Sequence, residues 1–139
     1  MDDSCLGPGP ASPPAGPSVV LDALFALSTA IRYVAFGRRG SVVSRTRPHL
    51  NGASSHESDR YEELLVNPTL LGLARRRGEI DCGGLEFLVV GYGAFRQLVL
   101  PVGDGHVSIA VERAADAASL VPRVQSVLRS HGLAEPAAP

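Results

Sequence analysis

The chain has 139 residues, of which 45% are hydrophobic and 19% are charged, and its formal net charge is −1. This length and composition predict one modest globular core, and the near-zero net charge argues against a protein that binds nucleic acid through a general electrostatic field. All thirteen basic residues are arginine, so Schiff-base chemistry on a lysine is excluded.

The two ends of the chain differ in composition from its middle. Residues 1–17 are rich in proline and glycine, and residues 134–139 repeat this bias. Such segments bury too little apolar surface to offset the entropy lost on ordering. We therefore expect a disordered Pro/Gly-rich leader over 1–17, a single α+β domain over 18–133 and a disordered tail over 134–139.

Cysteine content and hydropathy indicate where the protein works. The two cysteines, Cys5 and Cys82, make neither a disulfide framework nor a CxxC pair, which favours a reducing compartment. The apolar stretch over 19–31 is interrupted by Asp22 and is shorter than the roughly 20 residues that cross a bilayer. We therefore expect a cytoplasmic protein without a membrane segment.

The first half of the domain predicts a helix followed by a β-hairpin. Apolar residues recur at spacings of three and four after Ser18, a suitable N-cap, which predicts a helix up to about residue 31. Two strand-like runs, 31–36 and 41–47, flank a Gly-Arg-Arg-Gly turn and predict the hairpin. Residues 49–58 are polar, and we expect them to form a loop.

The second helix is predicted to be kinked or broken. Apolar side chains over 59–66 share one helical face, but Asn67-Pro68 interrupts the pattern, because proline lacks an N–H and disfavours a helical residue before it. The helix restarts at Asn67, and we expect it to end at the arginines before Gly78.

Three strands and a last helix make up the second half. Strand-like runs over 85–91, 95–102 and 106–112 are joined by links short enough for antiparallel hairpins, which predicts a three-stranded meander. A final helical pattern begins at about residue 117, and Gly132 ends it.

The order of these elements, α-β-β-α-β-β-β-α, predicts the fold class. Short links between neighbouring strands favour an α+β domain with a five-stranded antiparallel sheet and helices on both faces. The third strand is apolar on both of its sides, so both sides need cover.

This element order, over about residues 18–131, resembles the roadblock family of dynein light-chain roadblock type and its longin and profilin-like relatives. The resemblance lies in topology and hydrophobic pattern, and the polar loop and the break in the second helix depart from it. It implies a non-catalytic homo- or heterodimer, paired through the second helix and the third strand. It also implies docking on small GTPases or on motor and trafficking complexes.

Exposed apolar surface on the second helix and the third strand also favours a dimer, because one short broken helix does not cover this surface completely. The candidate dimer interface consists of Tyr61, Leu64, Leu65, Leu71, Leu85, Phe87 and Val89.

Four arginines form a candidate contact for an anionic partner. Arg38 and Arg39 lie at the tip of the predicted hairpin, and strand alternation places Arg45 and Arg47 about 7 Å apart on one side of its second strand. We expect these charges to be exposed. No aromatic residues interleave with them, so nucleic acid is not the expected partner.

Residues suited to enzyme chemistry lack the spacings that such chemistry needs. The four histidines show no metal-ligand spacing, and Arg96 stands where a dinucleotide loop starting at Gly91 requires its third glycine. Glu62 and Glu63 are adjacent on a helix, and we expect them to be solvated; Gly-Asp-Gly before His106 is typical of a tight turn. We expect no enzyme activity, no cofactor and no metal.

Two functions fit these observations. The first is a non-catalytic regulatory or scaffolding module acting as a dimer, with a small GTPase or another protein as its partner. The second is a small-molecule-sensing, profilin-like domain that binds an anionic ligand between the sheet and the second helix. Its pocket would be lined by Phe87, Tyr92 and Phe95, with Arg45 or Arg96 at its ends.

Overall fold

A computed structural model describes residues 17–50 and 55–133. The predicted tail and all but the last residue of the predicted leader lie outside these residues; Pro17 is the first residue of a helix. The elements in chain order are α1 (Pro17–Phe25), β1 (Ile31–Arg38), β2 (Ser41–Thr46), a 3-10 turn (Pro48–Leu50), α2 (His56–Tyr61), a π-helical turn (Glu62–Val66), α3 (Asn67–Asp81), β3 (Leu88–Gly91), β4 (Phe95–Val102), β5 (Gly105–Glu112), a 3-10 turn (Ala117–Leu120) and α4 (Val121–Ser130).

The five strands form one antiparallel sheet in the order β2-β1-β5-β4-β3. The predicted hairpin and the predicted meander are both confirmed. Arg39 and Gly40 make the two-residue turn between β1 and β2, and both have positive φ angles, 52° and 79°. This conformation matches the twist of the strands that it joins.

One face of the sheet carries the hydrophobic core. Side chains of α1 and α4 pack on inward-facing residues of β1, β4 and β5. The cluster consists of Val20, Leu21, Leu24, Ile31, Val34, Leu98, Leu100, Val107, Ile109, Val111, Ala117, Leu120, Val121, Val124 and Leu128. Burying this many large apolar side chains is the main source of the stability of the fold.

The other face is covered by residues 56–81, which we call the long helical segment. Its π-helical turn contacts β1 and β2, and α3 contacts β4 and β5. Helices therefore cover both faces of the sheet, as predicted. Among the described residues, both edge strands, β2 and β3, have one side without a strand partner.

The long helical segment begins earlier than the sequence predicts. Residues 49–58 were expected to form a loop, but α2 begins at His56, because the Ser55 side chain accepts a hydrogen bond from the Ser58 backbone N–H at 3.0 Å. Glu57 and Asp59 add negative charge to the first turn, where it is favourable.

The expected break before Pro68 is a widened turn instead. The Asn67 N–H donates to the Glu62 carbonyl, five residues earlier, and the helix continues through Pro68 without interruption. Gly78 also does not end the helix, which runs on to Asp81. Gly78 lies where the returning chain crosses, and the Gly84 N–H donates to its carbonyl at 3.1 Å.

Two other elements are shorter than expected. The first helix ends at Phe25 rather than near residue 31, because the chain turns at Ser28, whose side chain accepts from the Ala30 N–H at 3.0 Å. The third strand begins at Leu88 rather than at residue 85.

Candidate functional site

An exposed apolar stripe runs along the long helical segment. It consists of Tyr61, Leu65, Leu73 and Ile80, whose exposed fractions are 62%, 55%, 58% and 75%. These side chains are one or two helical turns apart and therefore lie on one side of the helix. We call these four residues the outer stripe.

Strand β3, the next element of the chain after this helix, forms an open edge of the sheet. Strand β3 pairs with β4 on one side only, so the backbone groups on its other side have no strand partner in the described part of the chain. Val89 at the centre of β3 is 41% exposed. Exposed edges of this kind pair readily with another strand.

The residues predicted for a dimer interface divide into three groups. Tyr61, Leu65 and Val89 are exposed, whereas Leu64 and Leu85 are half-buried. Leu71 is buried against the sheet, and Phe87 packs against the hydrophobic core.

The sequence analysis did not include Leu73 and Ile80 among the interface candidates. Both belong to the outer stripe. The sequence was expected to break the helix before Pro68 and to end it at Gly78. The helical spacing that places Leu73 and Ile80 on the same side as Leu65 was therefore not recognised.

The two arginines at the hairpin tip surround one aspartate. Arg38 Nε and Arg39 Nε each donate to a carboxylate oxygen of Asp104, both at 2.8 Å. The hydrogen bond from Arg39 and the two positive charges hold the pKa of Asp104 below its ordinary value. The Arg75 side chain lies nearby and donates to the Gly103 carbonyl at 3.4 Å. This corner therefore carries three guanidinium groups beside one carboxylate.

Arg45 and Arg47 lie on the same side of β2, as strand alternation predicts, and both side chains reach toward α1. Arg45 forms an exposed ion pair with Asp22. Arg47 is half-buried, not exposed as expected, and donates to the Phe25, Ser28 and Ile31 carbonyls at 3.1, 2.9 and 2.5 Å. Its guanidinium also lies 4.9 Å from the centre of the Phe25 ring. Contact of the four arginines with an anionic partner stays a prediction.

Glu63 was expected from the sequence to be solvated, and this prediction is wrong. Its exposed fraction is 1%, and it lies between the π-helical turn and the sheet. One oxygen lies 2.8 Å from His106 Nε2 and accepts from the Asn67 amide at 2.9 Å. The other accepts from the Tyr33 and Ser108 hydroxyls at 3.1 and 2.9 Å. His106, predicted from sequence to open a strand after a tight turn, is buried in this cluster. A buried carboxyl group with four hydrogen-bond partners fixes the position of the helix on the sheet.

Beside this cluster, the helix and the sheet enclose a cleft of about 620 Å³. Its walls include Tyr33, Tyr92, Phe95, Glu62 and Gln97. The Tyr92 hydroxyl donates to Glu62 Oε1 at 2.9 Å. Burial and this carboxylate raise the pKa of Tyr92 to about 12, so the phenol remains a donor at neutral pH.

The cleft lies where the sequence predicts a ligand pocket, but its charge differs. Phe87 packs against the core on the opposite face, and Arg45 points toward α1. Arg96 donates to the Tyr92 carbonyl at 2.6 Å and does not line the cleft. The predicted cationic ends are therefore wrong, and carboxylates take their place.

Within residues 17–50 and 55–133, no group of three or more His, Cys, Asp or Glu side chains is arranged to hold a metal ion. No helix in these ranges has the length and apolar character to cross a membrane.

Comparison with known proteins identifies the fold. The crystal structure of a Roadblock/LC7 domain from Streptomyces avermitilis matches this chain with a TM-score of 0.63 and 17% sequence identity. The match covers 81% of this chain and 91% of that chain. No protein-family model and no curated protein matches the sequence. The chain therefore has a roadblock-type α+β fold, as its element order predicts.

Proposed function

We propose that the protein is a non-catalytic regulatory or scaffolding module that acts as a homodimer through the outer stripe and the β3 edge. The observation that carries this proposal is the row of four large apolar side chains, each more than half exposed, along one helix. Apolar rows of this kind on a folded surface mark protein contacts.

Pairing with a second copy buries the outer stripe and gives the open β3 edge a strand partner. Burying a large apolar side chain contributes about 1.5 to 3 kcal/mol, and a two-fold axis buries each stripe residue twice. The same axis allows β3 to pair with β3 of the other copy, which gives partners to the open backbone groups.

The roadblock-type fold supports the proposal, because the resemblance implies dimers that dock on small GTPases or on multiprotein complexes. The hairpin-tip corner of Arg38, Arg39 and Arg75 is the surface that we assign to an acidic patch of such a partner. A cytoplasmic location fits this role and stays a prediction.

Variants that place a charged side chain in the outer stripe test the proposal. Leu73→Glu and Ile80→Glu place a carboxylate in the stripe, and neither side chain is buried in the monomer. We expect each variant to stay folded and to weaken dimerisation tenfold or more, measured by light scattering after size exclusion. Val19→Glu is the matched control, because Val19 is an exposed apolar residue of α1, on the helix layer that covers the other face.

Wild-type protein that elutes as a monomer would overturn the proposed dimer. Dimers of Leu73→Glu and Ile80→Glu that are as stable as those of Val19→Glu would show that the outer stripe is not the dimer interface. Circular dichroism of each variant separates loss of the dimer from loss of the fold.

A further inference from the structure

The cleft between the long helical segment and the sheet shares Tyr61 alone with the outer stripe of the proposed dimer contact. It has a volume of about 620 Å³, which is within the range of small-molecule sites. Its rim is formed by the π-helical turn, the link between β3 and β4, and the 3-10 turn that follows β2.

The walls of the cleft are aromatic. Tyr33, Tyr61, Tyr92 and Phe95 line it, and the rings of Tyr92 and Phe95 lie 5.3 Å apart at a tilt of 52°. Aromatic faces attract cations through their negative quadrupole, with Tyr and Phe both effective.

One wall of the cleft also carries an unsatisfied acceptor. Glu62 Oε1 accepts from Tyr92, but Glu62 Oε2 is buried and has no hydrogen-bond partner among the described residues. A buried carboxylate oxygen without a donor is costly, and burial raises the pKa of Glu62 above its ordinary value. A ligand with a positively charged N–H donor relieves both costs.

The net charge of the lining points to the same class of ligand. Asp59, Glu62 and Glu63 line the cleft, and Arg32 is its single arginine. Arg32 already donates to both carboxylate oxygens of Glu112, at 3.1 and 3.2 Å. Glu63 already contacts His106, so Glu62 is the carboxyl group that we assign to a cation in the cleft, and an anion would meet it unfavourably.

We propose that this cleft binds a small organic cation, an amidinium, guanidinium or primary ammonium on a compact apolar body. The charged nitrogen donates to the Glu62 carboxylate, and the apolar body lies against Tyr92 and Phe95. The site needs no second copy of the chain, although Tyr61 belongs to both the cleft and the outer stripe.

Four matched probes test the proposal by nuclear magnetic resonance titration of the full chain. Benzamidine and benzylamine are the cations, benzamide is a neutral analogue of the same shape, and benzoate is the anion. We expect both cations to shift the amide signals of Gly93, Ala94 and Gln97, which line the cleft. Benzamide should bind at least tenfold more weakly, and benzoate should cause no shift at these positions.

Two variants test whether the negative charge of Glu62 binds the cation. Glu62→Gln keeps an acceptor for the Tyr92 hydroxyl but removes the negative charge, so cation affinity should fall tenfold or more. Glu79→Gln is the control, because Glu79 is an exposed residue of α3 outside the cleft, and it should leave affinity unchanged. The same titration of Leu73→Glu keeps the result separate from dimerisation, and cation binding should persist there.

Three results would overturn the proposal. The first is that neither cation shifts the cleft signals of the wild-type protein. The second is that benzamide or benzoate binds as tightly as benzamidine. The third is that Glu62→Gln, with a dispersed spectrum of a folded protein, binds benzamidine as the wild type does.

Discussion

Glu62 and Glu63 show how strongly position decides the state of a side chain. They are adjacent in the π-helical turn, yet Glu63 is enclosed by four partners and Glu62 has one oxygen without any among the described residues. Burial, with smaller contributions from Glu63 and Asp59, raises the pKa of Glu62. The folded state therefore holds a proton on Glu62 more tightly than the unfolded state does.

This difference predicts a pH-dependent effect of Glu62→Gln. With its pKa raised on folding, Glu62 favours the fold fully below the unfolded pKa of about 4.3, and this contribution is lost as the pH rises through the folded pKa. The variant should therefore be more stable than the wild type near pH 8, and its advantage should disappear near pH 4. Urea denaturation at both pH values measures this. An equal effect of Glu62→Gln at both pH values would contradict it.

Arg45 and Arg47 lie on the same side of β2, but their surroundings differ. Arg45 reaches one exposed carboxylate, whereas Arg47 satisfies carbonyls of Phe25 and Ser28 at the end of α1. The sequence shows that they share a side but does not show that α1 ends within reach of one of them.

We therefore expect Arg47→Ala to destabilise the fold and Arg45→Ala to have little effect. Loss of Arg47 leaves half-buried carbonyls without their charged donor, which costs about 1 to 3 kcal/mol, whereas an exposed ion pair contributes about 0 to 1 kcal/mol. The free energy of unfolding in urea distinguishes them. Equal losses in the two variants would show that Arg47 is not a structural residue.

Helix α3 contains two glycines with opposite surroundings. A Cβ atom added to Gly72 would meet no atom within 4 Å. A Cβ atom added to Gly78 would lie 2.9 Å from the Gly84 backbone carbon and 3.0 Å from the Gly84 oxygen. Gly78 is therefore required for the close return of the chain toward β3, although the sequence pattern made it a helix end.

Alanine at these two positions should change stability in opposite directions. Gly72→Ala should stabilise α3 by about 0.5 to 1 kcal/mol, because alanine loses less backbone entropy in a helix. Gly78→Ala should destabilise by about 1 to 3 kcal/mol, because the backbone must shift to admit the methyl group. Thermal unfolding of both variants measures the difference, and a stabilising Gly78→Ala would contradict the close approach.

The strands of this protein were more predictable than its helices. Strand β4 has the predicted bounds, because short glycine links and alternating or continuous apolar runs mark strands locally. The π-helical turn was not predicted. Proline in a sequence is compatible both with a broken helix and with a helix that widens by one turn and continues, and the local pattern does not distinguish them. The extra residues of α2 depended on the Ser55 cap, a weaker signal within a polar stretch.

The candidate site depends on contacts between distant parts of the chain. Tyr61, Leu65 and Val89 were recognised as interface candidates from local pattern. The Glu63 and His106 contact joins residues 43 positions apart, and neither residue type predicts burial by itself. The charge of the cleft likewise follows from which residues the widened helical turn places beside β4.

We propose different roles for two surfaces of the whole molecule. We propose that the outer stripe and the β3 edge pair with a second copy, which leaves the hairpin-tip arginines accessible to another protein. Because strand β2 lies at the opposite edge of the sheet from β3, its hairpin tip should remain accessible in such a dimer.

Sedimentation equilibrium of the full wild-type chain at tens of micromolar measures the proposed dimer without a variant or a label, since it reports the mass of the species in solution. We expect a single species of twice the chain mass, with dissociation to monomer only on dilution. A species of one chain mass throughout this concentration range would contradict the dimer and leave the outer stripe without the partner that we assign to it.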